Sequence, residues 1–417
     1  MSDNAPLSPS KAVEDFDVTI VGAGPVGLAL AAWLARRSAS TALTVALVDA
    51  REPVDAAADP RAIAVSEGSR MLLEPLSAWP ASAHAIERIH VSERGRFGRT
   101  LIERDEHGLP ALGYVARYGA IVDALGETVR RTHTRWLTSA SALTPHAEQG
   151  DDWITLPIES GRQHPTLHTL RTRVLVNAEG GLYGDVRAIG GAGTPVSREK
   201  DNGGATRDYG QTALVGTVTV SAPQPHTAWE RFTAEGPIAL LPVGGMRQAD
   251  YALVWCMVPE QAERRLPLSD DALLAELGVA FGDRMGRFEA IKGRAAFPLG
   301  LTAAKTLARG RIVAIGNAAQ TLHPVAGQGL NLGLRDAHAL ADALARHGAT
   351  PRALADFARV RALDRRLTIG ATDALARLFT VDMGPLSGLR GLALAALELV
   401  PPAKTALARQ MMFGQRR

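Results

Sequence analysis

The chain has one cysteine, Cys256, in 417 residues, which excludes an internal disulfide and a cysteine-rich metal site and predicts a reducing compartment. It also lacks the run of about eighteen apolar residues that a membrane-spanning helix requires. The nearest approach, Leu389-Arg-Gly-Leu-Ala-Leu-Ala-Ala-Leu-Glu-Leu-Val400, is broken by an arginine and a glutamate. With Pro401-Pro402 and the basic residues Lys404, Arg409, Arg416 and Arg417 behind it, this stretch reads either as an interfacial helix or as a C-terminal helix docked on the body. Docking is the preferred reading. Residues 1–16 are polar, hold two prolines and lack an apolar core, so they predict a mobile tail, not a signal peptide or a span. No internal repeat or low-complexity tract is present.

Charge of one sign is lacking too. The 46 Lys and Arg residues against 43 Asp and Glu give a net charge of +3, and the basic residues are dispersed. That pattern fits an anionic cofactor or a membrane surface and argues against nucleic acid as a partner. The eleven histidines do not pair with cysteine at ligand spacing, and no metal site is expected. What remains is the composition of an ordinary soluble enzyme, 46% apolar and 21% charged. Its length exceeds what one hydrophobic core usually supports, so two domains are expected.

Two glycine-containing junctions carry the chemistry. The first follows an apolar strand, Val18 to Val21, and reads Gly22-Ala23-Gly24-Pro25-Val26-Gly27 before an Ala/Leu-rich helix. Gly22 permits the tight turn, Gly24 lets backbone approach a pyrophosphate, and Gly27 lets the helix pack close to the sheet. A second strand, Thr44 to Val48, ends in Asp49, 27 residues after Gly22, where a carboxylate would hold adenosine ribose hydroxyls. The second junction lies about 290 residues on. It runs from the strand Arg311 to Ile315 through Gly316-Asn317 to His323-Pro324-Val-Ala-Gly327-Gln328-Gly329-Leu330-Asn331 and Asp336. A helix starting in small residues exposes unpaired N–H groups and the positive end of its dipole, suited to an anionic ring or phosphate. An NAD domain has no need of this second junction, whereas FAD must be held at its adenine end and again around its ribityl chain and ring.

These paired motifs resemble the group A flavoprotein aromatic hydroxylases and, more narrowly, their ubiquinone-biosynthesis hydroxylase branch. Asp59-Pro-Arg61-Ala-Ile-Ala-Val-Ser66, Ile89 to Gly98, Leu112 to Val115, Asp208 to Gln211, Glu230 to Pro242 and Phe297-Pro298-Leu299 are similar to further blocks of that branch. The resemblance runs from about Asp17 to Arg377. One block departs from it. Where the family has an Asp-Gly pair followed by Ser and Arg, this chain has Glu179-Gly180, then Tyr183 and Arg187 with one extra residue, which leaves nucleotide access and flavin reduction least secure.

The resemblance implies an FAD-dependent monooxygenase. NADPH or NADH would reduce FAD, the reduced flavin would take O2 to a C4a-hydroperoxide, and oxygen would pass to an electron-rich phenolic ring. It places Gly22, Ala23, Gly24, Pro25, Val26, Gly27, Asp49, Arg61, Glu179, Gly180, Gly316, Asn317, Gly329, Leu330 and Asn331 around FAD. Pro324, Gly327, Gln328 and His323 fall at the reacting end of the ring, His323 as a proton relay or as a loop histidine bonded to backbone. Asp336 reads as a residue that caps or pairs within its helix, with a flavin contact as the alternative, and His90, Tyr114 and Trp255 as cavity lining or plain packing. The implied substrate is a polyprenylated phenol of ubiquinone biosynthesis, the implied location cytoplasmic with peripheral contact to the inner membrane through the C-terminal region, within a biosynthetic complex. A hydroxylase of a soluble phenolic acid, or a weakly active flavin-binding structural subunit, remains as an alternative.

The fold expected is α/β. A discontinuous Rossmann-like FAD-binding domain with a parallel sheet takes residues 17–83, 105–191 and 297–349. A mostly antiparallel substrate domain takes 84–104 and 192–296, and a helical C-terminal region takes 350–417.

Overall fold

The computed structural model of the chain describes residues 13–37, 43–95, 99–146, 152–161, 166–179, 205–324, 327–380 and 400–414. In chain order the first strands are β1 (Val13–Val21), β2 (Val45–Val48), β3 (Ala62–Ser66), β4 (His84–Ile86), β5 (Arg88–Glu93), β6 (Arg99–Glu103) and β7 (Gly113–Arg117). Then come β8 (Arg135–Leu137), β9 (Ala140–Ala142), β10 (Ile154–Ser160), β11 (Thr166–Asn177), β12 (Ala205–Val220), β13 (Thr227–Phe232) and β14 (Pro237–Gly244). The last are β15 (Asp250–Met257), β16 (Phe288–Ala303), β17 (Ala308–Arg309), β18 (Ile312–Ala314) and β19 (Gln320–Thr321). The helices are α1 (Pro25–Arg37), α2 (Pro53–Ala57), α3 (Glu67–Leu73), α4 (Tyr118–Arg130), α5 (Pro259–Arg265), α6 (Asp270–Phe281), α7 (Gln328–His347), α8 (Pro351–Thr380) and α9 (Pro401–Phe413).

The central sheet runs β17-β18-β11-β1-β2-β8, and β18, β11, β1, β2 and β8 are mutually parallel. Strands of such a sheet are covered on both faces and read as continuous apolar runs. β2 is fully buried, as is the Val18 to Val21 half of β1. Helices α1, α4 and α7 contribute Leu28, Leu30, Leu34, Ile121, Leu125, Leu334 and Leu340 to the large core on one side of this sheet, while β9 and β10 cover the other.

The second sheet, β19-β16-β12-β15-β14-β13-β5-β6, is antiparallel except where β13 lies parallel to β5. Its outer face buries Leu214, Trp229, Leu240, Tyr251, Trp255 and Met257 against Leu273, Leu277 and Phe281 of α6. Its inner face carries Ala213, Val215, Val254, Cys256 and Leu299. A three-stranded sheet, β3-β7-β4, bridges the two halves, with Ile86 and Val115 packed on Ala228.

Three expected boundaries are corrected. β1 begins at Val13, so residues 13–16 pair with Thr169 to Thr172 of β11 and are not part of a tail. Residues 84–86 belong to the bridging sheet, because β4 pairs β7. Phe297 to Ala303, placed with the FAD domain, continue β16 and pair with Ala205 to Ala213 in the second sheet, which β19 extends. The C-terminal helix α9 docks through Ala408, Met412 and Phe413 onto Leu109, Leu112, Ile89 and Ile102. Residues 1–12, the Gly180 to Arg187 stretch and Leu389 to Leu399 lie outside the described residues.

Glycine packing in this fold gives a paired prediction. A Cβ on Gly27 would overlap the Gly22 carbonyl oxygen, whereas one on Gly278 in α6 would meet nothing within 4 Å. Gly27→Ala should destabilise the protein by about 3 kcal/mol, and Gly278→Ala should stabilise it by about 0.5–1 kcal/mol. Urea unfolding followed by circular dichroism checks both, and equal midpoints for the two variants would refute the packing account.

Candidate functional site

The first junction closes as the sequence requires. The Gly22 N–H donates to the Val48 carbonyl at 2.8 Å, and the Ala178 N–H donates to the Val21 carbonyl at 2.8 Å. A side chain on Gly22 would lie 2.8 Å from the backbone of Ala178 and Glu179, so β1 and β11 end in contact. Gly24 differs, because a Cβ there would meet only the Tyr118 hydroxyl, at 3.2 Å, and the turn is open on that side. Pro25 opens α1, where its missing N–H is no loss, and the Leu28 N–H bonds the Gly24 carbonyl at 2.9 Å.

Asp49 turns back onto this loop. Its Oδ2 accepts the Ala23 N–H at 2.6 Å and its Oδ1 the Arg51 N–H at 2.8 Å. Arg61, just before β3, pairs with Asp59 at 2.5 Å and stands over the Tyr118 ring at 4.7 Å. Burial pushes the Tyr118 phenol pKa up, against the pull of Arg51 and Arg61. Tyr118, Arg51 and Asp59 therefore wall the open side of the loop. Glu179 is exposed, and its N–H donates to Asn177 Oδ1 at 3.0 Å.

The second junction meets the first. Val26 sits against Gly316 and Gly333, whose Cβ atoms, if present, would come within 3.1 and 2.7 Å of it. Gly327, at φ +58, caps α7 in the left-handed region and packs on Ala64 of β3, and its N–H returns to the Pro324 carbonyl at 2.9 Å. Asn331 fixes this start. Its Nδ2 donates to the carbonyls of Gly327 (2.7 Å) and Ala64 (3.2 Å), and its Oδ1 accepts the Ser66 N–H at 2.8 Å. The Asn331 amide thus holds the framework at the start of α7. Gln328 is buried and Leu330 packs on the main core, so at Gly329 and Leu330 backbone N–H groups are what is left to face a ligand. A Cβ on Gly329 would come no nearer than 4.0 Å to anything, the closest atom being Asn317 Oδ1. No acidic residue stands in the first turn of α7 and no side chain caps it, so its dipole is uncompensated there.

Asp336 does not pair within its own helix. It is fully buried, accepts from Arg361 Nε (2.7 Å) and Gln320 Nε2 (2.8 Å), and faces the Gly316 N–H at 3.4 Å. His323 is 1% exposed, lies 3.3 Å from Gln211 Oε1 and meets Tyr209 edge-on at 5.1 Å. Burial lowers its pKa to about 4, so it is neutral near pH 7. Its partner is a side chain of the second sheet, which joins the flavin-side loop to that sheet.

Pro324 completes a crevice with Glu230, Pro237, Ala239, Val254 and Cys256, on the inner face of the second sheet. Trp255, Tyr114 and His90 are elsewhere. Trp255 faces outward under Arg265, whose guanidinium lies 4.2 Å from its ring. His90 stacks on Trp229, and Tyr114 bonds Arg70 in the bridging sheet. All three are packing residues. The sequence reading gave Tyr118 and Glu230 no role. Tyr118 carries no motif, but Glu230 offered a signal, a carboxylate at an alternate position between Ala228 and Phe232 on one strand face.

A cradle open at Gly24, a carboxylate behind it and an uncompensated helix start at its far end fit a dinucleotide with a second, anionic ring system. The geometry defines a dinucleotide-binding α/β protein whose two glycine loops converge on one site. The family model for the FAD binding domain matches residues 144–362, and the chain belongs to that family of FAD-dependent monooxygenases. It is 34% identical over 409 residues to an uncharacterized protein, slr1300, of Synechocystis, covering 96% of this chain and 93% of that one. It is 31% identical over 408 residues to ubiquinone hydroxylase UbiL of Rhodospirillum rubrum, with coverage of 95% and 89%. The 3-demethoxyubiquinol 3-hydroxylase of Escherichia coli is 28% identical over 399 residues, with coverage of 92% and 94%. Among solved structures, p-nitrophenol 4-monooxygenase PnpA of Pseudomonas putida DLL-E4 shares the fold with a TM-score of 0.71 at 16% identity, over 97% of this chain and all of that one.

Gly24→Val tests the cradle. Its side chain meets little protein, so the variant should fold yet purify without yellow flavin absorbance; a variant retaining full flavin would place the pyrophosphate elsewhere. Acid stability tests the histidines. Burial lowers the pKa of His323, and burial with the Arg284 cation lowers that of His90, each from 6.5 to about 4. Between those values the unfolded chain binds more protons, so stability is full above about pH 6.5 and falls as pH drops toward 4, by up to about 1.4 kcal/mol per pH unit for each histidine. His323→Gln should flatten that slope in Tm-versus-pH scans, and an unchanged slope would show that His323 is charged in the fold.

Proposed function

We propose that the protein hydroxylates the aromatic ring of a polyprenylated phenol in ubiquinone biosynthesis, with NADPH or NADH as reductant and O2 as co-substrate. The observation that carries this reading is the mostly apolar wall beside Pro324, which closes in this structure to a crevice of about 10 Å³ that a substrate ring would have to widen. It offers Pro237, Ala239, Val254 and Cys256 and a carboxyl, Glu230, but no arginine among the described residues. A soluble aromatic acid would need a cation there, and Glu230 would repel it. The names of the Rhodospirillum and Escherichia relatives point to the same substrate class.

In this reading Asp49 and the Gly22 to Gly27 turn hold the adenosine and pyrophosphate end, and Gly329 and Leu330 present backbone N–H groups to the ring. FAD, when bound, supplies electron storage and oxygen activation. The chain's own residues orient and enclose. Arg61 and Tyr118 wall the cradle, Asn331 fixes the start of α7, and neutral His323 ties the loop to Gln211 without adding charge. Gly327 and Pro324 set the loop that faces the substrate sheet, and Gln328 is buried behind it.

No described helix is long and apolar enough to cross a membrane. A prenylated substrate still has to come from a bilayer, and α8 exposes Val360, Leu363 and Leu367 among the exposed Arg352, Arg359 and Arg366. That face supports peripheral contact with an anionic membrane surface. Association with a biosynthetic complex is part of the same proposal.

Anaerobic stopped-flow reduction by NADPH, with and without a short-chain prenylated methoxyphenol, is the test. Substrate-accelerated reduction followed by hydroxylated product on admitting air is the expected result. Bound flavin that no nucleotide reduces would refute it in favour of a structural subunit. Glu179→Asp, which restores the family's shorter acid, should speed reduction severalfold in the same instrument; a slower rate would show that the chain is adjusted to glutamate.

A further inference from the structure

Glu230 is a carboxyl placed where packing alone would not put one. On β13 the side chains alternate. Trp229 and Arg231 turn to the outer face, where both meet Phe281, at 6.0 and 5.8 Å. Glu230 is therefore sent to the inner face, where its cross-strand partner is Ala239, which in turn pairs with Val254. There it lines the crevice opposite Pro324, the loop residue nearest the second junction's helix. Among the described residues Glu230, which is half-buried, has no ion-pair or hydrogen-bond partner, and desolvation raises its pKa, to about 7.

An unpartnered carboxyl on an apolar face costs folding free energy that a glutamine or methionine would avoid. The cost is explained if the group has a partner that arrives with substrate. Two other titratable groups near it are unsuited to accept a proton. The Cys256 thiol is driven up by burial and by Glu230 itself, so it stays protonated. His323 is neutral and committed to Gln211. Glu93 lies on the same face of the neighbouring β5, two residues beyond Val91, which pairs with Glu230.

We propose that Glu230 is a catalytic base that takes the proton of the substrate's phenolic hydroxyl as the ring is hydroxylated. The inference rests on the phenol reading given under Proposed function. In the step the phenol O–H bond breaks, its electron pair stays on the phenolate oxygen, and an O–H bond forms on Glu230. The ring becomes more electron-rich toward an electrophilic oxygen, and no oxidant or reductant is consumed in the transfer. The proton returns to the oxygen when product is released. A base whose pKa lies near the working pH is the efficient choice for such a transfer.

The experiment compares Glu230→Gln and Glu230→Asp with the wild type, each loaded with FAD, on a prenylated methoxyphenol. It measures product, hydrogen peroxide and flavin content across pH 5.5–8.5 (roughly the range over which such a base titrates). Wild-type hydroxylation should rise through an apparent pKa near 7. Glu230→Gln should lower product formation about 100-fold, abolish that limb and divert reducing equivalents to peroxide, while keeping its flavin and a Tm at or above that of the wild type. Glu230→Asp should recover part of the rate and the limb. A glutamine variant within about threefold of wild type, with the limb intact, would overturn the role while leaving the phenol reading standing. A wild type that hydroxylates no phenol of the series would overturn the phenol reading and this role with it.

Discussion

One buried carboxylate holds the two halves of this protein in register. Asp336 is inaccessible to solvent on α7, yet it reaches Gly316 of the second glycine loop, Gln320 of β19 at the edge of the second sheet, and Arg361 of α8. Arg365 reinforces the junction by bonding Gln320 Oε1 and the carbonyls of Ala304 and Ala319. Asp364 then links Arg335 and Arg361 to Gln410 of the last helix. A buried ionic network of this kind contributes little net stability over an apolar core, but losing one partner strands a charge and costs about 3–5 kcal/mol. Its effect is geometric. The second glycine loop cannot shift without moving the edge of the second sheet and two C-terminal helices.

The glycines work in the opposite way, by absence of atoms. Gly22 lets β1 and β11 end in contact, Gly27 lets α1 close on its turn, and Gly316 with Gly333 make room for Val26. Cradle and helix start then share a wall. Dispersion and exclusion of water at this contact need no charge, so the polar groups around it are left to face a ligand.

Much of this was legible in sequence because it is local. A strand, a tight turn and a helix leave a pattern of apolar run and glycine spacing that survives without tertiary knowledge, and Asp49 falls at the end of β2 for the same reason. The alternation of strands predicted that Trp255 and Cys256 point to opposite faces, but period two does not say which face is the core. Trp255 could be read as cavity lining or as packing; its ring packs in the core that α6 covers, and the small side chains Ala239 and Cys256 line the crevice. Asp336 was misjudged, and the framework contacts of Asn331 went unseen, because their partners lie far away in sequence, at Arg361, Gln320, Ala64 and Ser66. Long-range hydrogen bonds leave no spacing to read. Tyr118 was invisible for the same reason: only the fold brings its hydroxyl to Gly24.

The charge state of the site follows from this arrangement. His323 is kept neutral by burial, Cys256 is kept as a thiol, and the Asn331 amide is consumed by backbone. Positive potential at the second junction is then supplied by fixed backbone dipoles at the start of α7, which do not titrate and need no counter-ion. A dipole can stabilise developing negative charge without attracting a free anion as strongly as an arginine would. A site so built suits a substrate that enters uncharged and becomes anionic only inside, and it puts the burden of proton removal on a carboxyl whose affinity for protons burial has raised.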